Sequence, residues 1–381
     1  MDLTRPKFDD EEIILLRQCL DSGWVTQGPL TAQFEQLFAS RHHVRFALAT
    51  TSCTAALHLA AMALGLGPAD EVIVPAFTWV TSAHCAEYVG AKVIFADIEA
   101  STYNLDPRAL QAAITSKTRA VVVVHLFGLS ARMGEILEIA RRHGLFVIED
   151  AACAIGTTYA GKPVGNLGNI GCFSFHPRKV ITTGEGGMVA TNSDEIAKSI
   201  KSFRNHGATG HLLPTEHCAK PYHMSRFDVL GYNLRLSDIQ SAVGIAQMHK
   251  LDGLLRERLH LAERYNELLK DLEEIALPVS PANCGHTYQS YVIRILKGGV
   301  ARRNMIMEEF EKAGIQTRPG THAVHRLGYY REKYRLDQEQ FPVAALCEDT
   351  TITLPLFPAM REDQQQVVYS TLKNALIRVP A

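Results

Sequence analysis

The sequence predicts an α/β fold: a mostly parallel sheet covered by helices on both faces, followed by a smaller α+β unit. Three observations carry this. Between about residues 45 and 190, short apolar, β-branched runs alternate with helix-like segments. The runs are apolar throughout rather than alternately polar, as strands buried on both faces are. After Gly231 the pattern changes to long helical periodicity around one strand-like run.

Taken in order, "RFALAT" precedes "TAALHLAAMALGLG", and "EVIVPAF" precedes "TWVTSAHCAEYVG". "AKVIFADI" precedes "DPRALQAAI", "RAVVVVHLFG" precedes "MGEILEIARRHG", and "LFVIEDA" follows. The stretch 237–272 has apolar residues at three-to-four spacing and predicts a long helix opened by Ser237 and Asp238. Beyond it come a strand, "YVIRILK", a helix, "ARRNMIMEEFEKAG", ended by Gly314, and a final helix near 362–377. The break between units is expected in or just before the long helix, giving 1–240 and 241–381.

A chain of 381 residues, 46% hydrophobic, can bury two cores. Lys plus Arg number 39 and Asp plus Glu 40, a net charge of −1, with no basic stripe. That argues against a nucleic-acid partner. No run approaches 18 apolar residues, and "MDLTRPKFDDEE" lacks the apolar stretch of a signal peptide, so no membrane partner is expected. Cysteines 19, 53, 85, 153, 172, 218, 284 and 347 form no C-x-x-C pair and no His/Cys cluster of ligand spacing. They read as reduced thiols of a cytoplasmic protein, with no metal site.

In such sheets ligands bind beyond the carboxyl ends of the strands, so the residues after each strand matter most. Ser52, Cys53 and Thr54 open a helix, where free N–H groups and hydroxyls suit a phosphate, or where Ser52 is simply a cap. Trp79 stands at a strand-to-helix junction, either covering a flat cofactor or packing in the core. Asp150 ends an apolar strand, where a carboxylate must be paired. A protonated ring nitrogen is one partner; a capped helix or an ion pair is another. Lys179, in "SFHPRKVITTGEGG", lies five residues after Ser174, which ends a strand. A lone lysine is most simply a solvated side chain. In low-dielectric surroundings it loses its proton and becomes a nucleophile. Together these four features are what pyridoxal 5'-phosphate requires: a phosphate cup, a lid, a partner for the ring nitrogen and a lysine for the aldehyde carbon.

With "FSFHPRKVITTGEGGMV", "EVIVPAFTWVTSA", "VIEDAA" and "GYNLRLSDIQSAVGIAQ" in view, the chain resembles the DegT/DnrJ/StrS family of sugar aminotransferases over essentially its whole length. The resemblance implies a fold-type I, aspartate-aminotransferase-like architecture and a pyridoxal 5'-phosphate cofactor. It makes Lys179 the Schiff-base lysine and Asp150 the partner of the ring nitrogen. Trp79 and Ala152 would lie on the two faces of the ring. Thr54, the Cys53 backbone and Ser174 would hold the phosphate. Asn233 would reach the phosphate of a neighbouring subunit, implying a homodimer with shared active sites. Arg235, the loop of Trp24 and Thr26, and His325 would face the substrate. Cys53 replaces a frequent glycine and Cys153 a frequent glutamine. "TRPGTHAVHRLGYY" departs from a pattern near "HYPPLH"; His325 fits its last histidine, whereas Thr321 and His322 do not match.

The resemblance further implies transfer of an amino group from glutamate or glutamine to a keto-sugar, most often a nucleotide-linked keto-deoxysugar. An unlinked keto-sugar or a cyclitol is the alternative acceptor. A related sugar dehydratase would carry histidine in place of Lys179. A silent sensor or scaffold would not need the intact set of Lys179, Asp150 and Trp79. A thiol enzyme using Cys53 or Cys153 would need a paired histidine, and no recognisable spacing supplies one.

Overall fold

The computed structural model describes residues 1–209, 222 and 224–380. Cys218 lies outside the described residues. The central sheet has seven strands: β1 (Phe46–Thr50), β2 (Glu71–Pro75), β3 (Lys92–Ala96), β4 (Thr118–Val124), β5 (Phe146–Asp150), β6 (Ile170–Ser174) and β7 (Gly187–Thr191). Their order is β1-β7-β6-β5-β4-β2-β3. All pairings are parallel except the two made by β7, which runs antiparallel between β1 and β6. The dozen residues joining β6 to β7 form a turn with no helix, and without a crossover β7 runs back antiparallel. The carboxyl ends of β1, β2, β4, β5 and β6 therefore share one edge with the start of β7.

The apolar runs become strands for the expected reason. Val121, Val122 and Val123 of β4 and Val72, Ile73 and Val74 of β2 have no exposed surface, because helices cover both faces. Those helices include α3 (Cys53–Ala63), α4 (Thr81–Tyr88), α5 (Pro107–Ala113), α6 (Met133–His143) and α7 (Asp194–Phe203). Their ends obey local chemistry. Ser52 caps α3 and Asp106 caps α5, with Pro107 in the first turn. Arg141, Arg142 and His143 end α6, and Gly144 closes it in the left-handed conformation at φ 64°.

The long helix, α8 (Asp238–Leu269), starts where the sequence predicts. Ser237 and Gln240 form a capping box there. Its buried positions run from Asp238 to Leu269 and touch two apolar clusters, one through Ile245, Leu251 and Leu254 and the other through Leu261, Tyr265 and Leu269. Two N-terminal helices, α1 (Asp10–Ser22) and α2 (Pro29–His42), pack on it; the polar, weakly periodic start of the sequence does not announce them.

A second sheet is built from β8 (Ile275–Ala276), β9 (Tyr291–Ile295) and β10 (Thr351–Leu354), all antiparallel. With α9 (Gly299–Lys312) and α10 (Glu362–Arg378) it encloses a separate cluster including Tyr265, Tyr291, Ile306, Phe310, Val368 and Leu372. Between these elements the chain returns to the first core: Ala323, Val324, Tyr330, Ala344 and Cys347 pack with the residues under the large sheet. The strand pair Phe77–Thr78 with His322–Ala323 seals that return.

Candidate active site

Asp150 is the last residue of β5 and is 3% exposed. Its Oδ2 accepts from Ser82 Oγ at 2.6 Å and its Oδ1 from the Ala152 N–H at 3.1 Å. Ser82 lies in the first turn of α4 and its hydroxyl also meets Thr78 Oγ1 at 3.0 Å. No cation pairs with this carboxylate among the described residues. Burial pushes its acid up from the usual carboxylate range; Ser82, the Ala152 N–H, Lys179 and His125 pull the other way without winning. A buried carboxylate held on two sides, with nothing basic in contact, is poised for a cationic partner from outside the chain.

The neighbouring Glu149 shows the contrast. It is wholly buried, and burial opposes its charge. Yet it accepts from His125 Nε2 at 2.9 Å and from the N–H groups of Gly165, Leu167 and Gly168 at 2.7, 2.7 and 2.6 Å. Those donors hold its carboxyl below the usual range. His125 Nδ1 accepts from the Ala131 N–H, so Nε2 carries the proton. Glu149 is thus satisfied within the fold, and Asp150, one residue on and facing the other side of the strand, is not.

The residues expected to hold the phosphate come together across the sheet. Ser52 Oγ caps α3 by accepting from the Ala55 N–H at 3.1 Å, and the Ala56 N–H bonds the Ser52 carbonyl at 3.0 Å. The N–H groups of Cys53 and Thr54 remain at the helix start, so the cap and the phosphate readings hold together. Ser174 pairs with Gly187 across β6 and β7. A Cβ on Gly187 would stand 2.4 Å from the Ser52 carbonyl carbon and 2.6 Å from the Cys53 nitrogen. Only glycine admits this approach, which brings Ser174 beside Cys53 and Thr54. The segment of Asn233 and Arg235 runs along the same edge: the Thr51 N–H donates to the Leu234 carbonyl at 3.0 Å, and Arg235 bridges Thr50. Asn233 is exposed, and the Arg235 guanidinium is tied to Asn205 Oδ1.

Lys179 follows a turn in which its N–H donates to the His176 carbonyl at 2.8 Å. Its Nζ lies 3.1 Å from Cys153 Sγ, so it is half-buried rather than solvated on a helix face. The turn after it is closed by Thr182 Oγ1, which donates to the Phe175 carbonyl at 2.7 Å, and by Gly184 at φ 79°. Trp79 is 54% exposed, which excludes the core-packing reading. Its ring lies 5.6 Å from that of His322 at 46°. Ala152 is half-buried beside Asp150.

The loop of Trp24 and Thr26 is fastened by Asp238, a residue the sequence offered only as a helix opener. This buried carboxylate accepts from the N–H groups of Gly28, Leu30 and Thr31 at 2.7, 3.0 and 2.9 Å, and from Thr31 Oγ1 at 2.6 Å. The Thr26 carbonyl accepts from the Asp238 N–H at 3.0 Å. Gln240 Nε2 donates to the Glu185 carbonyl at 2.6 Å, so the start of α8 joins this loop to the turn after Lys179. The Trp24 indole N–H donates to the Gln27 carbonyl at 3.1 Å.

His325 is placed otherwise than expected. It has no exposed surface, its Nε2 lies 2.9 Å from the Gln338 carbonyl, and Phe341 packs edge-on against it. His322, which the sequence comparison of motifs set aside, is the histidine beside Trp79. The strand pairing with Thr78 decides this: alternate residues face opposite ways, and His325 has already passed into the following 3₁₀ turn.

Cys53 and Cys85 are buried; burial pushes the Cys53 thiol well up and that of Cys85 to about 12. Neither is a nucleophile at neutral pH, which removes Cys53 as a thiol catalyst.

These residues fit pyridoxal 5'-phosphate on the structure's own terms: an unanswered buried carboxylate, a helix start approached through Gly187, and a half-buried lysine close enough to pull on that carboxylate. Comparison with known proteins gives the same answer. Residues 6–373 match the DegT/DnrJ/EryC1/StrS aminotransferase family. The chain belongs to that family. GDP-perosamine synthase of Caulobacter vibrioides is 35% identical over 374 residues, covering 98% of this chain and 97% of that protein. Spore coat polysaccharide biosynthesis protein SpsC of Bacillus subtilis is 36% identical over 371 residues, 97% of this chain and 95% of its own. Among solved structures, the putative sugar aminotransferase Spr1654 from Streptococcus pneumoniae in its PMP-form superposes with a TM-score of 0.94, at 26% identity over the full length of both chains. The same protein in its PLP-form gives 0.93. The chain is therefore an aminotransferase with the fold-type I α/β architecture, and pyridoxal 5'-phosphate is its cofactor.

Proposed function

We propose that this aminotransferase moves the amino group of L-glutamate, or glutamine, to the keto group of a sugar, most often a nucleotide-linked keto-deoxysugar, for polysaccharide or secondary-metabolite biosynthesis. One observation carries the reading: Lys179, rather than histidine, stands in the turn after Ser174, near enough for its charge to pull on the unanswered carboxylate of Asp150. The lysine counts against the sugar-dehydratase alternative. The relatives' names, GDP-perosamine synthase and SpsC, point to sugar acceptors in polysaccharide synthesis.

The cofactor supplies an electron-withdrawing ring and an aldehyde carbon for the amine to occupy. The chain supplies the rest. The N–H groups of Cys53 and Thr54, with Ser174, bind the phosphate. Asp150 holds a proton on the ring nitrogen. Trp79 and Ala152 orient the ring and exclude water from its faces. Lys179 Nζ would take the proton from the donor's α-carbon and, in the second half of the transfer, deliver one to the sugar carbon that receives the amine.

We further read the enzyme as a cytoplasmic homodimer with shared active sites. Met224, Phe227 and Leu230 are 90, 61 and 84% exposed beside the exposed Asn233, an apolar surface that a second copy would cover. Among the described residues no helix is long and apolar enough to cross a membrane. The chain divides into a cofactor-binding unit, 1–240, and a smaller unit, 241–381, a division supported by the separate core around the second sheet.

The purified protein should be yellow, and the band should bleach on adding L-glutamate. A panel of keto-sugars, free and linked to UDP, dTDP or GDP, should then be assayed for glutamate-dependent amination. Wild-type protein with added cofactor that shows no band trapped by borohydride would end this reading.

A further inference from the structure

Arg178, the lysine's neighbour in sequence, faces a second arginine across a cleft. The cleft, about 820 Å³, is walled by Leu3, Thr4, Arg178 and Arg318, with Glu308 and Glu311 of α9 also on its wall. Neither guanidinium forms an ion pair among the described residues. Arg318 Nη2 donates only to the Gly320 carbonyl, at 3.3 Å. Arg178 is held through its backbone, whose carbonyl accepts from Gln289 Nε2 at 2.6 Å, and its side chain is left exposed.

Two buried arginines of this chain, by contrast, find carboxylates. Arg204 meets Glu35 at 2.6 Å. Arg302 meets Glu274 at 2.8 Å and the Leu376 and Val379 carbonyls at 3.0 and 3.2 Å. Arg318 is held below the usual guanidinium range, first by burial and then by the charge of Arg178. Two cations placed together with no carboxylate in ion-pair contact repel each other, although Glu308 and Glu311 share the wall, and an anion between them relieves both.

The cleft belongs to the catalytic neighbourhood. Arg318 is close enough to feel the Cys153 thiol, whose Sγ lies 3.1 Å from Lys179 Nζ. His176, in the same turn, is burdened first by burial and senses Glu185, Lys179, Arg178 and Arg318 together.

We propose that Arg178 and Arg318 form an oxyanion subsite for a charged group of a substrate: a carboxylate of the dicarboxylate amino donor, or a phosphate of the sugar carrier. The proposal rests on the aminotransferase reading. The donor's carboxylate lies two bonds from the amine that must reach the carbon Lys179 serves. A carrier phosphate lies a sugar ring away from the acceptor carbon. Both present planar or tetrahedral oxygens that two guanidinium forks match.

Two unreactive probes separate the sources. Glutarate stands for the dicarboxylate donor and inorganic pyrophosphate for the carrier. Each is titrated by calorimetry into cofactor-loaded wild type, Arg178→Gln, Arg318→Gln and Arg318→Lys, with circular dichroism confirming the fold. At least one probe should bind the wild type and lose about tenfold or more in affinity in the Gln variants, since a hydrogen bond to a charged group is worth roughly 1.5–3 kcal/mol. Arg318→Lys should fall between, keeping the charge but not the fork. Loss for glutarate assigns the subsite to the donor, and loss for pyrophosphate to the carrier. The subsite is overturned if neither probe binds the wild type, or if both Gln variants stay within about twofold while still bleaching under glutamate. Wild type that fails to bleach overturns the aminotransferase reading instead, and the probe titrations still decide the subsite.

Discussion

Asp150 and Ser82 are joined by a 2.6 Å hydrogen bond between the end of β5 and the first turn of α4. The bond fixes the carboxylate without neutralising it. A hydroxyl and one backbone N–H aim both oxygens, while burial keeps the acid's proton affinity high. On the function proposed above, the cofactor's ring nitrogen would be the cation that this carboxylate lacks.

The sign of that arrangement in cofactor-free protein follows from linkage. The folded acid binds its proton more tightly than the unfolded chain. Stability therefore falls as pH rises from the ordinary carboxylate range up through the raised folded value. At neutral pH, above the ordinary carboxylate range, the buried carboxyl is a standing cost in either protonation state. Asp150→Asn should raise the melting temperature of the cofactor-free protein, by roughly 2 °C per kcal/mol relieved. The same variant should lose cofactor affinity and amination. Paired thermal melts with and without cofactor test it, and an unchanged or lower cofactor-free melting temperature would refute the account.

Lys179→Ala should keep noncovalent cofactor, through the cup, Trp79 and Asp150, but lose the band that borohydride traps. Amination should drop by about 10²–10⁴-fold, the range for removing a positioned proton-transfer group. Spectra before and after borohydride, with mass analysis of the peptide around residue 179, distinguish the covalent from the noncovalent state.

Trp79→Ala should hardly disturb folding, because the ring is 54% exposed. A change within about ±0.5 kcal/mol is expected for the cofactor-free protein. Cofactor retention should weaken by roughly threefold to tenfold, the worth of one aromatic stacking contact. A large loss of cofactor-free stability would show that the ring packs in the fold after all.

Gly187→Ala and Gly184→Ala should separate two uses of glycine in one turn. A methyl at 187 meets the Ser52 carbonyl carbon at 2.4 Å, so Ser52–Thr54 must shift and phosphate affinity should collapse. A methyl at 184 finds open space but sits at φ 79°, costing about 1 kcal/mol of stability and little affinity. Cofactor titrations beside denaturation midpoints show whether the two effects divide in this way.

His325→Ala should destabilise the fold through lost packing against Phe341 and the Gln338 contact, by about 1–3 kcal/mol. His322→Ala should leave stability near wild type and alter KM for the keto-sugar, since its ring borders Trp79 at the site. Steady-state kinetics and urea midpoints for the pair provide the test.

The alternation of apolar runs with amphipathic segments was enough to read the large sheet, because a strand covered on both faces leaves that mark in one dimension. Local chemistry likewise placed the ends of several helices. Ser237 and Gln240 cap α8, and Gly144 ends α6, through residues no more than four positions apart. Lys179, Asp150 and the Ser52–Thr54 turn were legible because each follows a strand, and such sheets bind ligands there.

Other features depend on residues distant in sequence. Nothing near Trp79 tells whether it is buried; its exposure follows from where α4 leaves the sheet. Asp238 looks like a helix opener until the fold brings Gly28, Leu30 and Thr31 to its oxygens. The exchange of His325 for His322 turns on strand pairing between residues some 240 positions apart, where a shift of one residue reverses the side chain. Arg178 and Arg318 meet only because Gln289 and the strand bridge of Arg318 with Thr353 hold their backbones on one cleft. Periodicity and caps are local, so the chain announces its elements. The partner of a buried charge or a ring is a long-range matter, settled only when the elements pack.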